Sequence, residues 1–167
     1  MPPLRFPVAV IFQRTPVVNR WISERWEPVA VETEVMRSSG QPTKITDDAS
    51  ATRWRFGGHS YELHPTEAEG YYLNLAAPDP KVFVMWRMAD AGTVPAAFPV
   101  IVTVSYNQAA RMLDGGEQVD AVPMLPDIMA RMKLFVEEHY KPEVRKKVRR
   151  NDPLRDDAEQ RGRDPRH

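Results

Sequence analysis

The chain has 167 residues, no cysteine, and 23 basic against 23 acidic side chains, a formal net charge of zero. A chain of this length can bury one sufficient core without metal or disulfide staples. The missing cysteine excludes a disulfide framework, thiolate nucleophiles, iron–sulfur clusters and cysteine-ligated zinc.

Charge is unevenly placed: residues 1–140 carry 13 Lys/Arg against 17 Asp/Glu, and residues 141–167 carry 10 against 6. The expected organisation is a single α+β domain over residues 1–142 and a charged, flexible tail over 143–167, where apolar side chains are too sparse to offset the entropy of ordering. The first apolar run, Phe6–Phe12, is interrupted by Pro7 and followed by Gln13 and Arg14. It is too short for a membrane span and lacks a cleavage signal, so a cytoplasmic location is expected.

In chain order, Phe6–Arg14 is nearly continuous apolar and predicts a strand covered on both faces, with Pro7 tolerated near its start. Residues 20–32 mix Trp21, Ile22, Trp26, Val29 and Val31 with charges, which predicts a strand bulged near Arg25; Pro28 argues against a helix. Residues 33–51 have no apolar period and read as a long surface loop. TRWRF, Gly57-Gly58 and HSYEL then predict a two-residue hairpin that pairs Trp54 with Tyr61 and Arg53 with Glu62. Residues 71–76 alternate as a further strand. Val82, Val84, Trp86 and Met88, then Val100, Val102, Val104 and Tyr106, are the clearest strand signals, and they predict two buried neighbours.

Ser105 with Gln108 fits a capping box, and Gly115-Gly116 a helix end, which predicts a short helix between them. A longer helix starts at Pro126-Asp127, with Ile128, Met129, Met132, Phe135, Val136 and His139 on one face, and stops before Pro142. The fold class is therefore α+β: about seven mostly antiparallel strands, as an open sheet or partial barrel, then a short helix and a longer C-terminal helix packed on the sheet.

Little catalytic chemistry is visible. His59 and His64 are five apart, on opposite faces if on one strand, and cannot hold an ion together there. His139 suits a helix C-terminus. Asp114, Glu117 and Asp120 lack calcium-loop spacing and read as solubilising loop charges, as do Asp47-Asp48. No phosphate loop, nucleophile elbow or metalloprotease helix occurs, so no catalytic residue, metal or cofactor is expected and a non-enzyme is favoured. Two stretches rise above this background. Trp21, Glu24, Arg25 and Trp26 combine the residue types that dominate protein interfaces and form the expected partner-binding segment. Arg145, Lys146, Lys147, Arg149 and Arg150 form a basic run without interleaved aromatics, a weak nucleic-acid signal.

At RWISERWEPVAVE, at VTVSYNQAARMLDGGEQVDAVPM and at FVEEHYKPE the chain resembles a family of bacterial proteins of unknown function, over about residues 4–143. Genes of that family often lie near those of molybdenum-dependent formate dehydrogenases. The resemblance implies an accessory or maturation role for a redox enzyme and supplies no catalytic residues. The expected function is a non-enzymatic protein-binding module whose partner is another protein, a redox enzyme or its maturation machinery. The alternatives are a small-molecule-binding protein or enzyme using the mouth of the sheet, and nucleic-acid binding through the tail. Pocket geometry discriminates the first alternative and salt-dependent binding the second.

Overall fold

A computed structural model describes residues 2–35 and 40–142. The tail and its basic run, Arg145–Arg150, lie outside the described residues, as do residues 36–39. Among the described residues, seven strands and three helices form an α+β architecture: β1 (Leu4–Pro16), β2 (Glu24–Thr33), β3 (Thr43–Asp47), β4 (Thr52–Leu63), α1 (Ala68–Ala76), β5 (Lys81–Met88), β6 (Ala97–Thr103), α2 (Tyr106–Asp114), β7 (Val119–Pro123) and α3 (Pro126–His139). The strands make two antiparallel sheets, in the orders β2-β1-β4-β3 and β6-β5-β7. β2 lies beside β7, and β4 beside β6, so the sheets approach one another at two seams.

β1 is central in its sheet, which is why Val8, Ala9, Val10 and Phe12 are all buried. Val82, Val84 and Trp86 of β5 and Val102 of β6 supply the facing wall. Phe12 bridges the sheets edge-on, with ring centroids 5.4 Å from Phe56 and 5.6 Å from Trp86. Helix α3 closes one end of this space. Its Phe135 meets Tyr71 of α1 edge-on at 5.7 Å, Arg131 lies 4.6 Å from the centre of the Phe6 ring, and Asp127 accepts a hydrogen bond from Thr33.

The helix ends match the expectation, but of the Ser105–Gln108 capping box only one arm forms: Ser105 N donates to Thr103 Oγ1 at 3.1 Å, and that hydroxyl donates to Gln108 Oε1 at 2.6 Å. Ser105 Oγ accepts from Gln108 N at 3.1 Å, α2 ends at Gly115, and α3 opens with Pro126 at its first turn. Several local expectations are corrected. Gly57-Gly58 is not a hairpin turn. β4 runs straight through it and pairs with β1 along its length, from Leu4 opposite Leu63 to Arg14 opposite Thr52. Val8 faces His59 and Val10 faces Phe56, so Ala9 stands against two residues and the glycines form a β-bulge, with Gly58 at φ +78°. Trp54 therefore faces Phe12 and Lys44 across the ladder, while Tyr61 faces Phe6, and the expected Trp54–Tyr61 pair does not form.

Residues 71–76 are helical rather than extended. Pro65 opens a 3-10 turn that leads into α1, and the buried Ala68, Tyr71 and Asn74 recur at helical spacing. Asn74 locks the helix to the sheets: its amide donates to Lys81 O at 2.7 Å and Val104 O at 2.8 Å, and its carbonyl accepts from Lys81 N at 3.0 Å. The stretch expected as a loop contains the exposed edge strand β3. Asp48 Oδ1 accepts from Ser50 N, Ser50 Oγ and Ala51 N and so shapes the turn into β4, and these bonds lower the Asp48 pKa, with Ser50 Oγ the leading cause. The acids between α2 and α3 are also more than solubilising. Asp120 lies in β7 and accepts from Trp86 Nε1 at 2.6 Å, and Glu117 pairs with Arg87 at 2.9 Å. The β2 bulge falls at Val29, between Ala30 opposite Ile11 and Pro28 opposite Phe12, rather than at Arg25.

Candidate functional site

The expected partner-binding segment is split by the fold. β1 and β2 form a hairpin whose loop, residues 17–23, is closed by Val17 N donating to Ser23 O at 3.1 Å. Within it Asn19 Oδ1 accepts from Trp21 N at 3.1 Å, an Asx turn that throws the indole outward. Val18, Trp21 and Ile22 are 108%, 86% and 56% exposed. Arg20 and Arg25 are exposed beside them, and residues 17–23 include no acid.

Alternation turns the next members of the segment elsewhere. Trp26 points into the core and is 8% exposed, with its Nε1 donating to Glu24 Oε1 at 3.1 Å. Glu24 also accepts from Arg14, and the two bonds, Arg14 first, hold its carboxyl below the usual carboxylate range. Arg25 stays outside and reaches Glu27 at 3.3 Å. Trp21 and Arg25 are therefore both accessible, while Glu24 and Trp26 anchor the base of the hairpin.

A second site had no signature in the sequence. It begins with the Gly57-Gly58 bulge, which releases Gly58 N–H from the ladder, and that N–H donates to Glu34 Oε1 at 2.7 Å. Glu34 follows the end of β2 and is tied by its own N–H to Pro7 O at 3.0 Å. Its side chain is 2% exposed, and among the described residues Oε2 has no hydrogen-bond partner and lies 3.9 Å from the Arg55 guanidinium. That guanidinium is engaged more closely by Glu32 Oε1, at 3.0 Å.

The bulge also turns His59 inward. Three cavities meet at this imidazole: one of about 240 Å³ against Glu34 and Arg5, one of about 300 Å³ along the β4–β6 seam, and one of about 590 Å³ reaching Phe56, Met88 and Phe98. Burial pushes the His59 pKa down, and the Glu34 charge opposes that push. His64 is not on the strand: it precedes the 3-10 turn and meets Glu62 Oε2 at 2.7 Å, while Arg5 holds the same carboxylate at 2.6 Å. Those contacts lower the Glu62 pKa, the Arg5 bond first. Among the described residues no group of three His, Asp or Glu side chains is arranged to hold a metal ion.

The comparisons give one relationship. A family model described as "Protein of unknown function (DUF3305)" matches residues 7–150. The chain belongs to this family. The match runs through the basic segment Arg145–Arg150, which the resemblance had left outside. No curated protein matches the chain. No solved structure matches it either. Among the described residues of this DUF3305 member, no helix is long and apolar enough to cross a membrane.

Proposed function

We propose that this chain is a protein-binding module, with the Trp21 hairpin tip as its principal contact. The supporting observation is the concentration of Val18, Trp21 and Ile22 at high exposure in one ordered loop, flanked by Arg20 and Arg25. An exposed tryptophan on a short, hydrogen-bonded loop loses little entropy on docking, and Trp and Arg are the residues whose truncation most often abolishes binding. Arg20, in a loop with no acid, favours a partner surface that pairs an apolar pocket with a carboxylate. The resemblance to a family found beside molybdenum-dependent redox enzymes supports such an enzyme, or its maturation machinery, as the partner, with an accessory role in the cytoplasm of a bacterium.

The test is affinity recovery from the native host, comparing wild type with Trp21→Ser, Arg25→Ala and the control Leu134→Ser, whose side chain is exposed on α3. Both tip variants should melt within about 0.5 kcal/mol of wild type, because neither removes a buried group. Trp21→Ser should lower recovery of the partner at least tenfold, the effect of losing about 2 kcal/mol at an anchor. Leu134→Ser should leave it unchanged. Equal recovery by wild type and both tip variants, or recovery of nucleic acid in place of protein, would refute the reading.

A further inference from the structure

None of the residues lining the cavity of about 590 Å³ beside His59 belongs to the hairpin tip, so a ligand site there is independent of the docking reading. Its floor is Phe56, buried and held from behind by Phe12. Its outer wall is the β5–β6 connection with the strand ends on either side, which brings Met88, Val94 and Phe98 to one concavity although all three are exposed. Exposed apolar side chains scattered singly mean little, but several around one concavity of ligand size mark a binding site. The wall is preformed: Ala89 N donates to Ala96 O at 2.6 Å and Thr93 N to Asp90 O at 3.0 Å, which closes the connection at its base and at its turn. Pro95 and Pro99 also line the cavity, and each offers a ligand a flat apolar ring and no N–H. His59 supplies a polar group where the cleft along the β4–β6 seam begins. Burial favours its uncharged form, in which one ring nitrogen donates and the other accepts.

We propose that this cavity binds an uncharged, planar aromatic molecule of about two fused rings, with a hydroxyl that hydrogen-bonds to the His59 ring. Each part of that chemistry follows from the lining. Phenyl rings, proline rings and the Met88 thioether attract a π face beyond the area it buries. A hydroxyl is satisfied by either nitrogen of the imidazole, whereas a carboxylate would give up its hydration to apolar walls for a single donor. An ammonium group would find the one acid lining the cavity among the described residues, Asp90, exposed to solvent, where pairing adds little.

The experiment is an NMR titration of the full chain above neutral pH, following the Met88 methyl, the Phe98 amide and the ring nitrogens of His59. The probes are naphthol, its saturated analogue decalinol, naphthoate, naphthylmethylammonium and N-acetyltryptophanamide, the last presenting an aromatic ring as a protein partner would. Naphthol should give saturable shifts at submillimolar to millimolar concentrations, as befits so few atoms. Each of the other four should bind more weakly by about fivefold or more. Phe98→Ala, at an exposed position that leaves the core intact, should weaken naphthol by about fivefold or more. His59→Leu should do the same, and the shifts of the wild-type ring nitrogens report the hydrogen bond should that variant fail to fold. Trp21→Ser should bind naphthol as wild type does, which separates the cavity from the tip. Absence of saturation, equal or tighter binding of decalinol or of either charged analogue, or unchanged affinity in Phe98→Ala would overturn the proposal. So would tighter binding of N-acetyltryptophanamide, which would assign the cavity to a protein side chain, loss of binding in Trp21→Ser, or naphthol saturation that leaves the His59 ring nitrogens unmoved.

Discussion

His59 illustrates how one residue's surroundings become a property of the whole protein. Burial lowers its pKa from the ordinary 6.5, so the folded state holds the neutral imidazole more tightly than the unfolded chain does. The stability linked to this group is therefore complete above about pH 6.5 and is lost as pH falls from there through the folded-state value. The lowered carboxyls of Glu24, Asp48 and Glu62 act in a separate window, below their ordinary values of 4.5 and 3.8. Urea unfolding at pH 7.5 and at about pH 5.5 should show wild type losing stability and His59→Gln losing less. An identical decline in both proteins would place the pH dependence elsewhere. The charge that acts on His59 comes from Glu34, 25 positions earlier in the chain, which is why its two neighbours on the strand offered no hint of the site.

At the scale of elements, the packing of α1 against the start of α2 is governed by a glycine. A Cβ at Gly70 would fall 2.2 Å from Ser105 Oγ and 3.3 Å from Asn107 N. Ser105 cannot retreat without cost, because its hydroxyl donates to Glu67 Oε2 at 2.8 Å while accepting from Gln108 N at 3.1 Å. Alanine in a helix interior is ordinarily better than glycine by about 1 kcal/mol. Here the overlap and the disturbed cap, costing about 1–3 and about 1 kcal/mol, outweigh that gain. Gly70→Ala should consequently destabilise by about 1–3 kcal/mol in urea unfolding, and a stabilised variant would show that the two helices have room to separate. The same element shows the limit of periodicity as a guide. YYLNLA satisfies an alternating reading as well as a helical one, and only Pro65 and the Ala68–Tyr71–Asn74 spacing favoured the helix.

Across the whole molecule, Phe12 is one of the residues that join the two sheets, fully buried between Phe56 of its own sheet and Trp86 of the other. Phe12→Ala should cost about 3–5 kcal/mol. A double-mutant cycle on the milder Phe12→Leu and Trp86→Phe should give a coupling of about 0.5–1.5 kcal/mol, with one unfolding transition seen by fluorescence and circular dichroism alike. Zero coupling with two transitions would mean that the sheets unfold separately. The sequence by itself determined the elements whose signals are local: the alternation of Val82, Val84 and Trp86, the Ser105 cap, the Pro126 start of α3 and its buried face, and hence the α+β class. Tertiary structure alone decided the meaning of Gly57-Gly58. Phe56 and His59 face the same way whether the glycines turn the chain back or add one residue to a continuous strand, so the inward pattern is the same in both cases. The thirteen-residue β1, pairing with β4 on both sides of the bulge, favours the continuous strand. That long-range pairing then sets Gly58 N–H against Glu34 and creates a buried acceptor that no spacing along the chain could announce.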